Sequence, residues 1–329
     1  MAEESAASSR EARGTGLDEG QRDRAIAVVL ASALGDALGA GYEFSTVAPD
    51  LVPGMIGGGL GNFAPGEWTD DTAQAVAVAR AAADHDLRTE AGLDAVAAGF
   101  ARWFADGPAD VGVQTRAVLS LAGPDASAAR MRAAALTVHE RTGRSAGNGA
   151  LMRTGPVAVA YLADPEALVE AALAVARLTH VEADAGESSA LWCLLVRHTV
   201  LTGEYPGFDD VAAWVPRRDV WRDRLAEAEA KPPSAFTNNA WTVGALQAAW
   251  SAIVHTPRAA ADPSDPVVAA LTTAIRIGHD TDTVAAIAGA LLGARWGTAA
   301  LPARWAAMVH GWPGLDWAGL RELAVRVVG

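Results

Sequence analysis

Two short segments concentrate oxygen-bearing side chains where helices begin. Trp68-Thr69-Asp70-Asp71-Thr72 leads directly into residues 73–83, whose apolar positions recur at helical spacing. A helix start accounts for much of this, because Thr69 is a natural N-cap and Asp70 and Asp71 favour the positive end of the macrodipole. The same three side chains also offer the hard oxygen donors that Mg²⁺ or Mn²⁺ prefers. Far later in the chain, Gly278-His279-Asp280-Thr281-Asp282-Thr283 leads into a second helical run, residues 284–296. One capping side chain suffices for a helix, so two Asp residues flanking a Thr exceed that need. The pair of segments predicts two helix starts converging on two metal ions, a geometry with metals roughly 3.5–4 Å apart that activates water and holds substrate oxygens.

Four further segments carry candidate chemistry. Leu34-Gly35-Asp36-Ala37-Leu38-Gly39 reads as close packing through its glycines, with Asp36 capping a neighbouring backbone. Just beyond it, Glu43 sits on a glycine-flanked loop, where a carboxylate could close over a pocket and act on water. In Gly147-Asn148-Gly149-Ala150-Leu151-Met152-Arg153, glycines around an Asn allow positive φ and exposed N–H groups for phosphate or ribose oxygens. Met152 and Arg153 read equally as core and ion-pair residues. Thr179-His180 follows an apolar helix, where a structural hydrogen-bonding histidine is the commoner outcome. Pro108-Ala109-Asp110-Val111-Gly112, followed by Gln114 and Thr115, offers either a capping Asp or a carboxylate facing a leaving group.

These side chains need helices to hold them. Apolar residues recur at helical spacing over 25–40, 72–83, 93–104, 165–178, 188–201 and 284–296, and almost nothing alternates with period two. Glycine and proline fall between these windows. An all-α domain over residues 21–329 follows, preceded by a disordered tail at 1–20 that is rich in Ser, Ala, Glu, Arg and Gly. Residues 203–234, with four prolines, read as a variable excursion interrupted by a helix over 221–231.

The 329 residues are 51% hydrophobic, ample for a large core. With 39 acidic against 26 basic residues the formal charge is −13, which disfavours general nucleic-acid binding. The lone Cys193 excludes an internal disulfide framework and fits a reducing compartment. No apolar stretch of membrane-spanning length escapes charge, and the N-terminus lacks an apolar signal core. A monomeric cytoplasmic protein is expected.

In their order, G-D-A-L-G, W-T-D-D-T, G-N-G-A-L-M-R, T-H and D-T-D-T followed by A-A-I-A-G-A-L-L-G-A resemble the ADP-ribosylglycohydrolase family. That family includes dinitrogenase reductase-activating glycohydrolases and ADP-ribosylarginine and ADP-ribosylserine hydrolases. The resemblance covers residues 24–296. It implies an all-α, multi-helix bundle with a binuclear Mg²⁺ or Mn²⁺ centre, held by Thr69, Asp70, Asp71, Asp280, Asp282 and Thr283. Glu43 falls where the family has a mobile loop glutamate. Ser145, Gly147, Asn148, Gly149, Met152 and His180 fall in segments lining its ADP-ribose pocket. Asp110 lies in a D-x-G-x-x-T segment similar to that of the dinitrogenase reductase-activating branch, where the Asp is near the scissile bond. His279 departs from the Gly or small residue common in the family, and Trp241 stands where Tyr is expected.

The resemblance implies metal-dependent release of ADP-ribose from an ADP-ribosylated protein or small conjugate, with Glu43 and Asp110 as catalytic acids and an arginine linkage favoured. Alternatives are a hydrolase of ADP-ribosyl-serine or O-acetyl-ADP-ribose, a non-catalytic ADP-ribose-binding or structural member, and an unrelated all-α metal-dependent nucleotide hydrolase. The six intact ligand positions oppose the second. The absence of paired E-x-x-E runs opposes the third.

Overall fold

In the computed structural model, which describes residues 16–256 and 265–329, the chain folds into fourteen α-helices and one short hairpin. Two helices form the axis on which the others lean. Helix α1 (Glu19–Gly39) is buried without interruption from Ala25 to its end, and its start is closed by a reciprocal capping box between Asp18 and Gln21. Fourteen residues from a later part of the chain, Thr281 to Ala294, are buried with equal completeness in the helix that pairs with it. A helix that is apolar on every side belongs in a core. Helix α1, extended through Tyr42, is also long and apolar enough to cross a membrane, yet 89% of its most apolar window is buried inside the protein.

Between these two the chain adds α2 (Asp70–Asp84), α3 (Glu90–Ala105), α4 (Val113–Ala122), α5 (Ala128–Thr142) and α6 (Gly155–Ala160). It continues through α7 (Pro165–Ala176), α8 (Ala183–Thr202), α9 (Arg218–Ala230), α10 (Thr242–Val254) and α11 (Asp265–Arg276) to α12 (Thr281–Trp296), the partner of α1. The short α13 (Ala303–Ala306), the hairpin β1 (His310–Gly311) with β2 (Leu315–Asp316), and α14 (Trp317–Val328) complete it. Helices α14, α6, α8 and α2 pack around α1, while α11, α10 and α8 pack against α12. The outer helices are two-faced: α14 buries Leu320, Leu323, Ala324, Val327 and Val328 and turns its charges outward.

Glycine makes the central contact possible. A Cβ on Gly35 would lie 2.2 Å from the Ala285 carbonyl oxygen, and one on Gly289 would lie 2.2 Å from that of Ala31. At Gly293 the obstacle is the Ala27 carbonyl, also at 2.2 Å, and at Gly39 it is Asp282 Cα at 2.5 Å. The α1 and α12 backbones are therefore in direct contact along their length.

The helical windows read from the sequence all correspond to helices, with ends moved by a few residues. The expected tail at 1–20 lies outside the described residues as far as residue 15, and Glu19 and Gly20 already belong to α1. The hairpin was not foreseen, and it matters locally. The His310 carbonyl accepts the Trp68 N–H at 2.9 Å and the His310 N–H donates to Gly66 at 3.0 Å, which fixes the chain entering α2. The proline-rich excursion does carry a helix, α9, and it is tied to α8: Arg217 pairs with Glu187 at 2.8 Å and Arg224 with Asp184 at 2.9 Å. Cys193 is buried in α8, where burial pushes its thiol up to about 12.

Gly289→Ala should lower unfolding free energy by about 2–3 kcal/mol or more, because both neighbours are backbone and cannot rotate away. Gly207→Ala, whose nearest outside atom would be 3.6 Å away, serves as the control and should be close to neutral. Urea unfolding of the two variants checks this, and equal midpoints would refute the close-contact account.

Candidate active site and metal centre

Asp36, near the end of α1, is fully buried and reaches across to the start of α2. Its Oδ1 accepts the Thr69 N–H at 3.0 Å and its Oδ2 accepts the Thr72 N–H at 2.9 Å. This is the neighbouring-backbone cap expected from the sequence. Thr69 is itself the N-cap of α2, accepting the Asp71 N–H at 3.4 Å. The second oxygen-rich segment arrives from α12, seated by the contact of Gly39 with Asp282 Cα. The two helix starts meet at Asp71. Its Oδ2 accepts the hydroxyl of Thr69 at 3.2 Å and that of Thr283 at 3.3 Å.

Two groups of carboxylates result. In one, Asp36, Asp71 and Asp282 bring oxygens within 4.8 Å of one another; in the other, Glu43, Asp280 and Asp282 do the same. Asp282 belongs to both. Glu43 Oε2, Asp71 Oδ1 and Asp282 Oδ1 are buried with no hydrogen-bond partner. Burial raises the proton affinities throughout; for Asp36 and Asp280 hydrogen bonds work against it, and for the others neighbouring carboxylates add to it. Asp70 is pushed up to about 8, chiefly by burial and then by Asp110; Glu43 is pushed up to about 9, by burial and then by Asp280. Asp71 and Asp282 are raised well above the usual carboxylate range by burial, then by neighbouring carboxylates. Orphaned, buried, acceptor-only oxygens facing one another are what a divalent cation satisfies, and the all-oxygen donor set fits a hard ion.

Above these groups lies a cavity of about 360 Å³. Asp70, Asp280, Asp282, Thr283, Glu43 and Asp110 line it, together with Gly147, Asn148, Gly149, Met152 and His180. Thr69 and Asp71 sit beneath, 2% and 1% exposed. Among the sequence-derived substrate-binding residues, Ser145 is the one that does not line this cavity. Its hydroxyl is bonded to His139 Nδ1 at 2.8 Å and accepts the Glu182 N–H at 3.1 Å, and it lies under an adjoining groove beside Arg144 and Trp241.

Several local expectations change. Gly147 has φ −64°, and neither it nor Gly149 adopts positive φ. Space decides the second of these glycines: a Cβ on Gly149 would press to 3.2 Å from His180 Cε1. Asn148 spends its amide donors on the Asn239 carbonyl at 2.9 Å and Asp280 Oδ2 at 2.7 Å, so it braces a carboxylate of the cluster. His279 has φ +61°, a left-handed backbone that disfavours Cβ-bearing residues, which gives a physical reason for the small residue expected there. Arg153 makes no ion pair among the described residues. It is buried, stacked over Phe100 at 4.5 Å and hydrogen-bonded to Gln74 and Thr179.

Sequence reading missed two supporting residues. Asn239 is fully buried; its Oδ1 accepts the Asp280 N–H at 3.2 Å and its Nδ2 donates to the Gly278 carbonyl at 3.0 Å. Nothing near it in sequence announces this. Gln74 did leave a signal, a polar residue one turn after Asp70 on a buried face, and it donates to Asp70 Oδ2 at 3.1 Å.

A family model described as ADP-ribosylglycohydrolase matches residues 17–329. The chain is 29% identical to the ADP-ribosyl-(dinitrogen reductase) glycohydrolase of Rhodospirillum rubrum over 290 residues, 86% of this chain and 89% of that protein. It is 27% identical to an ADP-ribosylarginine hydrolase of Pseudomonas putida, covering 86% of this chain and 73% of the relative. Among solved structures, a chain of an ADP-ribosylglycohydrolase-related protein complex superposes with TM-score 0.70 and 26% identity, over 94% of this chain and 99% of that one.

The carboxylates have a consequence for stability. A carboxyl whose proton affinity rises on folding holds its proton at pH values where the unfolded chain has released it, so stability falls as pH rises through that window. With Asp70 near 8 and Glu43 near 9, the EDTA-treated protein should lose stability from pH 6.5 to 8.5. Saturating Mg²⁺ or Mn²⁺ should raise the melting temperature most at the upper end. Thermal melts at fixed ionic strength check both; a flat metal-free profile that cations do not shift would refute the metal-centre reading.

Proposed function

The chain belongs to the ADP-ribosylglycohydrolase family, and from that premise we propose that it cleaves the glycosidic bond between ADP-ribose and an acceptor, with arginine favoured. The observation that carries the reading is the meeting of two distant helix starts at Asp71, beneath a cavity of about 360 Å³. That volume lies within the range of small-molecule sites. In this reading Thr69, Asp70, Asp71, Asp280, Asp282 and Thr283 would hold two divalent cations, Mg²⁺ or Mn²⁺. Bound there, the cations supply Lewis-acid polarisation and offset the carboxylate charge.

The chain's own groups divide the remaining work. Glu43, with an unpartnered Oε2 at the cavity, would be returned to its carboxylate form by the cations' charge, and as a carboxylate it takes the proton of the attacking water. The water oxygen bonds to the anomeric carbon as the bond to the acceptor breaks, through a transition state of oxocarbenium character. Asp110 faces the leaving group and pairs with its guanidinium; the C–N bond electrons leave with the guanidino nitrogen, and the proton taken by Glu43 passes through solvent to that nitrogen, which restores the free guanidinium. The diphosphate rests against the turn at 147–149, and Met152 offers an apolar surface.

Arginine is favoured by what lies beyond Asp110. A second cavity of about 360 Å³ shares Asp70 and Asp110 with the first. Trp103, Trp312 and Phe63 line it together with Asp106, whose Oδ2 accepts the Trp312 indole N–H at 2.9 Å. Aromatic faces beside carboxylates suit a planar cation. The relative named as an ADP-ribosylarginine hydrolase supports the same choice.

Release of free ADP-ribose from arginine- and serine-linked substrates, with Mg²⁺, Mn²⁺ or EDTA, tests the reading. We expect metal-dependent release, a loss of about 100-fold or more in Asp280→Ala, and a selective loss of the arginine linkage of about 100-fold in Asp110→Asn. An unchanged Asp110→Asn rate would sink the arginine assignment. No release from either substrate would sink the hydrolase reading.

A further inference from the structure

Beneath the cavity lies a buried cation that the reaction above does not use. Arg153 is fully buried, and its guanidinium donates from Nη1 to Gln74 Oε1 at 2.6 Å and from Nη2 to Thr179 Oγ1 at 2.7 Å. Gln74 in turn donates from Nε2 to Asp70 Oδ2 at 3.1 Å. On the other side, Thr179 Oγ1 is 2.8 Å from His180 Nδ1. Asp70 is 8% exposed, His180 is 2% exposed, and the three residues between them are sealed from solvent.

The direction of every bond in this chain is fixed by chemistry. Arginine has donors only, so Gln74 Oε1 and Thr179 Oγ1 must both accept from it. That sets the Gln74 amide with its NH₂ toward Asp70. It also leaves the Thr179 hydroxyl proton free for His180 Nδ1. A neutral imidazole that accepts at Nδ1 carries its proton at Nε2. The opposite tautomer would aim two donors at Thr179 Oγ1 and strand the hydroxyl proton inside the protein, a costly arrangement where water cannot enter.

We propose that Gln74, Arg153 and Thr179 form a positioning chain that links the metal-site carboxylate Asp70 to His180 and holds His180 as an Nε2–H donor facing the cavity. The Nε2 edge points at the turn at 147–149: a Cβ on Gly149 would lie 3.4 Å from His180 Nε2, and one on Gly147 3.5 Å from it. The ring is kept neutral as well as oriented, since burial and then the Arg153 charge push His180 down to about 3. Arg153 itself is lowered to about 9 by burial, against the pull of Asp70, and stays a cation at neutral pH. His180 therefore offers its ligand a donor that neither titrates nor flips across the physiological range. Naming that ligand as ADP-ribose rests on the functional reading above; the tautomer does not.

The test uses the full chain with ¹⁵N-labelled histidine, and His180→Gln to assign the resonance. Long-range ¹H–¹⁵N correlation should show the wild-type ring as the neutral Nε2–H tautomer, unchanged from pH 5 to 8. Thr179→Val, which keeps the shape and removes the hydroxyl, should give a mixture of tautomers, and Thr179→Ser should restore the single form. Calorimetry with ADP-ribose should find Thr179→Val weaker by about fivefold to tenfold, the value of one neutral hydrogen bond, with Thr179→Ser close to wild type. A wild-type Nδ1–H tautomer, which needs no variant to fold, would overturn the chain. So would Thr179→Val with its tautomer unmoved. An intact Nε2–H form in a wild-type protein that binds no ADP-ribose would support the chain and overturn the functional reading.

Discussion

Helices α1 and α12 touch through backbone, and the site exists because they do. A Cβ at Gly35, Gly39, Gly289 or Gly293 would stand 2.2–2.5 Å from atoms of the facing helix, so only hydrogen fits between them. At that separation Asp36, which α1 turns toward the start of α2, shares one carboxylate group with Asp282 of α12. Helices separated by ordinary side chains run 8–10 Å apart, too far for side chains as short as aspartate to gather in this way. The last glycine of the contact, Gly39, rests on the Cα of Asp282 itself. Core packing and the gathering of the carboxylates are the same contact here.

That arrangement works against folding. Carboxylates with orphaned oxygens are brought out of water and beside one another, and desolvation and repulsion both oppose the folded state. The surroundings supply what they can without neutralising the cluster. Backbone N–H groups hold Asp36, amides from Asn148 and Asn239 hold the Asp280 segment, and Gln74 holds Asp70. The nearby cation, Arg153, stands one amide away from Asp70. A direct ion pair would neutralise Asp70, and the interposed Gln74 keeps the carboxylate out of one.

How much of this was legible depends on how local each signal is. Outer helices show their faces as apolar spacing, and the capping chemistry of Asp18, Thr69 and Asp316 is written within a turn of the residues it serves. The central pair is legible by a different sign, an apolar run without a polar face. The two acidic segments stood out because each exceeds what a helix start needs. Asp36 was read correctly as a cap, yet its membership of the carboxylate group depends on a helix that arrives from the far end of the chain. Asn239 and Ser145 fail for the same reason in opposite senses. One supports the site from a segment with no local mark, and the other sits in a promising segment whose hydroxyl is turned to His139. The hairpin at 310–316 is too short to carry a period, so its hold on Trp68 appears only in the folded chain.

The pairing of α1 with α12 also sets an order of events. Helix α1 precedes α12 by most of the described chain, so a long apolar helix is synthesised well before the surface that covers it exists. Contacts so distant in sequence close slowly, and the exposed helix meanwhile presents a sticky surface to other chains. Truncation before residue 281 leaves α1 with its widest face bare, so fragments should be far more prone to aggregation than the finished chain.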